Sequence, residues 1–239
     1  MTEIRILPNA DEVAHAVAEE LVTRLAAVQA EGRVPSVVLT GGTVANMIYR
    51  AAAALPSAHV DWMQVDFWWG DERYVPADST DRNDRAAELD LLDVVVVDPA
   101  RVHAMPAADE VHLDVASAAA EYGDLVRTHG SGLFDLVLLG VGPDGHVASL
   151  FPGFTQLDVD DDIAVAVTGS PKPPPERITL TFSALNRTRE VWFLVTGDGK
   201  ADAVARALAA DGTVHETPAR GITCENRIWF LDEPAASGL

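Results

Sequence analysis

Along the chain, apolar runs of strand length alternate with stretches whose apolar positions recur every three or four residues. Those two periods separate strand from helix. The longest helical stretch spans residues 11–30, with Asn9 and Glu12 as its start signal and Gly32 as its stop. Residues 34–40 read as a buried strand, followed by Gly41-Gly42 and a helix over 43–55. The same reading predicts strands over 62–69 and 134–140, a short strand over 94–97, and helices over 81–92 and 110–128. Further on, 163–167, 191–196 and 227–231 read as strands, 178–182 alternates like one, and 198–210 reads as a helix.

Strands alternating with helices imply the α/β class, with an open, mostly parallel sheet and helices on both faces. Ligands in such sheets sit beyond the carboxyl ends of the strands, so chemistry is expected in the segments that follow them. The loop-rich stretches 75–84, 152–162 and 170–176 are short, and no internal repeat interrupts the pattern. Residues 1–239 are therefore expected to form one domain.

Composition narrows the setting. Hydrophobic residues make up 48% of the chain, enough for a sizeable core and too many for general disorder. Cys224 is the only cysteine, which excludes an intrachain disulfide and a four-cysteine zinc site. No stretch approaches the roughly 18 uninterrupted apolar residues of a spanning helix, and the first residues lack a signal-peptide core. A cytoplasmic protein is expected.

The formal charge is −20. Such a field repels phosphate backbones and anionic membranes, so neither nucleic acid nor a membrane is expected as a partner. It would also repel a small anionic substrate. A phosphate ester would need several of the 17 lysines and arginines gathered in one cleft.

Four strand-end segments could supply chemistry. Leu39-Thr40-Gly41-Gly42-Thr43 runs from strand through paired glycines into a helix, whose free N–H groups and dipole suit an anion. It is equally compatible with an ordinary tight turn. Trp69-Gly70-Asp71-Glu72-Arg73-Tyr74-Val75-Pro76 sets three charged residues directly after an apolar strand; a solvated loop is the plain alternative.

The third segment runs Gly140-Val141-Gly142-Pro143-Asp144-Gly145-His146-Val147-Ala148-Ser149-Leu150-Phe151-Pro152. Its glycines mimic a dinucleotide fingerprint, but Pro152 forbids the long helix that the fingerprint requires. What remains is His146, able to take a proton near neutral pH, with Asp144 two residues away and not obliged to touch it. The fourth is Ser170-Pro171-Lys172-Pro173-Pro174-Pro175-Glu176-Arg177. Its prolines stiffen the loop and would hold Lys172 and Arg177 near one place.

Other signals fail. Gly197-Asp198-Gly199-Lys200 lacks the upstream glycine of a nucleotide-binding loop, and Ser149 sits in no G-x-S-x-G elbow. The remaining histidines show no metal-ligand spacing, and His15, His112 and His129 are expected on helix surfaces. Trp62, Trp68 and Trp69 are expected in the core or as cleft wall.

Together, in this order, the four segments resemble the glucosamine-6-phosphate isomerase/6-phosphogluconolactonase family, over roughly residues 36–236. The family hallmarks matched are the Gly-Gly turn, G-D-E-R-x-V-P, G-x-G-x-D-G-H-x-A-S-L-F-P and P-K-P-P-x-x-R-I-T. The turn departs from the family's common S-G-G-S/T form at Thr40 and after Thr43, a change that backbone donors survive.

The resemblance implies a sugar-phosphate isomerase-like sheet and hydrolysis of 6-phospho-D-glucono-1,5-lactone, without metal or organic cofactor. It makes His146 the general base, supported by Asp144. Arg73, held by Asp71, would steady the lactone or its carbonyl charge. Gly41, Gly42, Thr43, Lys172 and Arg177 would take the phosphate. The partner implied is the small sugar phosphate lactone, and the chain is expected to be a monomer or weak homo-oligomer. The alternatives are an amino-sugar-phosphate deaminase or aldose–ketose isomerase of the same fold, and a non-catalytic sugar-phosphate sensor. The deaminase usually follows its G-H with I-A-F-N-E-P rather than Val147-Ala148-Ser149-Leu150-Phe151-Pro152, and the sensor would not need His146, Asp144 and Arg73 together.

Overall fold

The computed structural model describes residues 1–56, 60–109, 114–130 and 132–239. Six strands form the main sheet, in the order β1-β9-β8-β5-β2-β3. They are β1 (Thr2–Leu7), β2 (Ser36–Leu39), β3 (Asp66–Trp69), β5 (Leu136–Gly140), β8 (Glu190–Val195) and β9 (Asn226–Asp232). Every neighbouring pair is parallel. Inner strands of such sheets are buried on both faces, which is why β2 and β8 read as continuous apolar runs, fully buried along their length.

Helix α1 (Ala10–Ala30) starts where Asn9 accepts a hydrogen bond from the Glu12 N–H at 3.0 Å, and the chain turns at Gly32 with φ 75°. Its buried stripe, including Val13, Val17, Leu21 and Leu25, packs against α2 (Thr43–Ala54) and β9. Helix α4 (Val115–His129) begins at Asp114, which caps the Ser117 N–H. The predicted start of this helix, residues 110–113, lies outside the described residues, as does His112. His15 and His129 are exposed on their helices.

A second, three-stranded sheet carries β4 (Asp71–Arg73), β6 (Ala164–Val167) and β7 (Arg177–Leu180) in the order β4-β7-β6, both pairings antiparallel. Helix α4 packs on it, and Tyr122 ties the helix to the main sheet by accepting from the Trp69 N–H at 2.9 Å. The α/β class and the mostly parallel order agree with the sequence reading, but the strands at 164–167 and 177–180 leave the main sheet.

Three expectations need correction. Residues 62–69 are not one strand, because Asp61 accepts from the Met63 N–H and starts a 3₁₀ turn over Trp62–Gln64; the strand begins only at Asp66. Residues 94–97 form no strand, and Val94 and Val96 are exposed. Strand β1 was not foreseen. Its charged Glu3 and Arg5 alternate with half-exposed Ile4 and Ile6, a pattern suited to a sheet edge, where charge discourages further pairing.

The remaining short helices are α3 (Asn83–Ala87), continued by a π turn over Glu88–Leu92, α5 (Phe182–Leu185) and α6 (Ala201–Leu208). From β2 the chain crosses to β3 on one side, whereas β5 continues through β8 and β9 to the other. The divergence between β2 and β5 opens a crevice at their carboxyl ends, the place where this class of sheet holds ligands.

Candidate active site

A cavity of about 430 Å³ fills that crevice, walled by Thr40, Gly41, Gly42 and Thr43 from the β2 turn and Gly140, Val141 and Gly142 from the end of β5. Asp71, Arg73, His146, Lys172, Arg177 and Lys200 also line it.

The glycine turn is built to leave donors free. Gly42 takes the N-cap position of α2 with φ 111°, reached cheaply only without a Cβ, and no side chain caps the helix. The first N–H groups of α2 therefore face the cavity side with their partial positive charge. Buried Tyr49 stabilises the turn from behind, donating to the Thr40 carbonyl at 2.6 Å and accepting from its N–H at 3.0 Å. Burial holds its phenol protonated, above the ordinary range.

After β5 the chain turns so that His146 Nδ1 meets Asp144 Oδ1 at 2.5 Å. The turn closes through Gly145 N–H to the Gly142 carbonyl and Gly142 N–H to the His146 carbonyl, both at 2.9 Å. Glycine at 142 leaves room for the imidazole, which a Cβ there would overlap. Burial alone would favour a neutral Asp144, but the His146 hydrogen bond, its charge and Lys172 bring the carboxyl down to about 2. An ionised carboxylate on Nδ1 fixes the tautomer that leaves Nε2 as the proton acceptor. Ala148 then takes φ 49°, in the left-handed region, reversing the chain between His146 at the cavity and Ser149 buried below it.

Asp71 does not hold Arg73, contrary to the sequence expectation. It accepts from Ser149 Oγ at 2.6 Å and faces Arg177 Nη1 at 3.9 Å. Arg73 instead donates to Asn83 Oδ1. The reason is the antiparallel pairing of β4 with β7, which sets Asp71 opposite Thr179 and beside the buried Ser149.

Arg177, only 5% exposed, lines the cavity as expected, but most of its guanidinium is already engaged. It donates to the carbonyls of Pro174, Lys172 and Pro173 and to Ser149 Oγ, at 3.1–3.4 Å. The proline loop is thus tied down by Arg177, and Lys172 is placed by that loop.

Sequence reasoning missed Lys200. Its Nζ donates to the Val141 carbonyl at 2.6 Å and lies close enough to Lys172 for their charges to interact. Burial, and secondarily Lys172, pulls its pKa down; burial also lowers that of Lys172, against the pull of Asp144. Two partly desolvated ammonium groups held close together favour an anion between them. The available signal was position: Lys200 follows the carboxyl end of β8, the strand beside β5. Asn83, also missed, lies inside the helix predicted over 81–92, away from any strand end that would have marked it.

Among the described residues, no three His, Cys, Asp or Glu side chains gather as a metal ion would require, and no helix is long and apolar enough to cross a membrane.

Residues 8–230 match the family model for glucosamine-6-phosphate isomerases/6-phosphogluconolactonase. A 6-phosphogluconolactonase of Streptomyces coelicolor is 45% identical over 237 residues, covering 95% of this chain and 90% of the relative. The 6-phosphogluconolactonase of Mycobacterium tuberculosis is 40% identical, covering 100% and 98%. Among solved structures, the 6-phosphogluconolactonase of Trypanosoma brucei superposes with a TM-score of 0.87 at 28% identity, over 100% of this chain and 99% of that one. A monomeric glucosamine-6-phosphate deaminase reaches a TM-score of 0.84 at 18% identity, over 99% and 100%, a likeness of fold alone.

Proposed function

The chain belongs to the glucosamine-6-phosphate isomerase/6-phosphogluconolactonase family, and we infer that it is the enzyme that hydrolyses 6-phospho-D-glucono-1,5-lactone to 6-phospho-D-gluconate. That is the second step of the oxidative pentose phosphate pathway, carried out here in the cytoplasm. The observation that supports this reading best is the His146–Asp144 pair at the end of β5, set in one cavity with the cations and the glycine turn.

His146 Nε2 takes a proton from water as the water oxygen attacks C1. The bond from C1 to the ring oxygen then breaks, and the imidazolium returns its proton to the departing alkoxide. Asp144 keeps the ring oriented and stabilises the cation formed in between. Arg73 steadies the charge that develops on the carbonyl oxygen. A strained ring ester already opens slowly in water, so the residues need only position and polarise it.

Lys172, Lys200 and the Gly41-Gly42-Thr43 helix start take the phosphate, reversing locally the field of a −20 protein. Arg177 adds its charge and holds the loop that presents Lys172. The test is one set of assays with EDTA and no added cofactor, offering the lactone, glucosamine 6-phosphate and a ketose phosphate in turn. Accelerated opening of the lactone alone is expected; turnover of the amino sugar and not the lactone would replace this reading with the deaminase.

A further inference from the structure

The cavity has a neighbour of about 350 Å³, and the two share the wall formed by Gly42, Thr43, Arg73 and Asn83. Asn83, 3% exposed, belongs to that wall. Its Oδ1 accepts from Arg73 Nη1, and its Nδ2 donates to the Asp71 carbonyl at 2.9 Å. The same amide lies against Gly41, where a Cβ would overlap it. One side chain therefore touches both the guanidinium assigned to the carbonyl charge and the turn assigned to the phosphate.

Asn83 is in turn seated from below. Glu72, fully buried, accepts from the N–H groups of Arg73 at 2.8 Å, Asn83 at 2.7 Å and Asp84 at 2.8 Å. Its carboxyl thus fastens β4 to the first turn of α3. Neither residue has a part in the mechanism above.

Arg73 needs such a holder. It projects from a three-residue strand and lies close enough to Lys172 and Arg177 for their like charges to repel it. Unheld, it would swing out to solvent, and a donor that stabilises a transition state must be in place beforehand. A neutral amide oxygen can fix the guanidinium without cancelling its charge, which a carboxylate at the same position would do.

We propose that Asn83 is a positioning residue for lactone opening, holding Arg73 over the cavity and locking it to the glycine turn, with Glu72 as its buried seat. The proposal rests on the role given to Arg73 above. Its test is a double-mutant cycle on kcat and KM. Arg73→Ala is expected to lower kcat by about 10²–10³-fold, the usual loss for one such donor. Asn83→Ala is expected to lower kcat by at least about tenfold with KM changed less than about threefold, and the double variant to be no worse than Arg73→Ala. Independent, multiplying losses overturn the positioning role.

Asn83→Asp, nearly isosteric, is expected to lose kcat as well because it neutralises Arg73, and it runs the same cycle if the alanine variant does not fold. A native kcat in Asn83→Asp overturns the proposal. Native kcat in Arg73→Ala overturns the Arg73 assignment and the proposal with it. A crystal structure of Asn83→Ala reads the geometry without reference to activity: Arg73 displaced is expected, and Arg73 unmoved refutes the proposal whatever the reaction.

Discussion

Replacing Gly142 with alanine should disable the site while sparing the fold. A Cβ at this position would lie on the His146 ring and 2.5 Å from Asp144 Oδ1. Ordinary contact begins near 3.5 Å, so Asp144 must retreat by about 1 Å and the imidazole further. The 2.5 Å bond between them cannot survive both displacements. A misplacement of about 1 Å costs around 10²-fold, and full loss of a general base about 10²–10⁴-fold. Gly142→Ala should therefore lower kcat by at least about 10²-fold, with the His146→Ala variant as its floor.

KM should change little, because Lys200 and the Gly41-Gly42 turn are not touched. Stability should also hold, since Gly142 has no left-handed φ and the displaced side chains border open cavity. Gly199→Ala is the control. It has no atom within 4 Å of the new Cβ, sits beside Lys200, and should behave as the native enzyme. The assay follows 6-phosphogluconate formation through a coupling dehydrogenase, with the spontaneous rate subtracted, alongside thermal melts. A Gly142→Ala variant within about threefold of native kcat would remove His146 from the mechanism.

Other expectations follow from the same geometry. Lys200→Ala and Lys172→Ala should each reduce kcat/KM for the phosphorylated lactone by roughly 10- to 150-fold, the worth of a charge-assisted contact of about 1.5–3 kcal/mol. Unphosphorylated glucono-1,5-lactone should barely register either change, and equal losses on both substrates would move these lysines from phosphate to chemistry. Arg177→Lys keeps the charge but cannot span the three loop carbonyls, so its kcat/KM should fall as far as that of Arg177→Ala; a near-native lysine variant would show that charge alone matters. Burial, helped by the charge of Asp84, pushes Glu72 from its ordinary 4.5 up to about 8. The folded state thus holds a proton that the unfolded chain has released, and this stabilisation, complete below about pH 4.5, is lost as pH rises through about 8. The Tm of the native protein should fall from pH 6 to 9 more steeply than that of Glu72→Gln; parallel curves would mean that Glu72 does not titrate there.

Much of the architecture is readable without coordinates because its rules are local. Apolar continuity marks β2, β5 and β8, the Asn9 cap and the three- and four-residue spacing mark α1, and strand ends followed by glycine mark the turns that hold His146 and Gly41-Gly42. Asp144 and His146 could meet because two residues and a glycine turn suffice.

What the fold alone decided depends on surfaces that meet only after the chain has packed. Strand β1 looks polar by itself and becomes a strand by pairing with β9 at the other end of the chain. Asp71 reaches Ser149 rather than Arg73 because β4 leaves the parallel sheet for β7, a choice made by where the free edge lies. Lys200 comes to Val141 because β8 lies beside β5, an order of strands that no local period encodes. Period, caps and turns are properties of neighbours in sequence. Which cation faces which carboxylate is set by strand order and register, and those follow from how the whole core is buried.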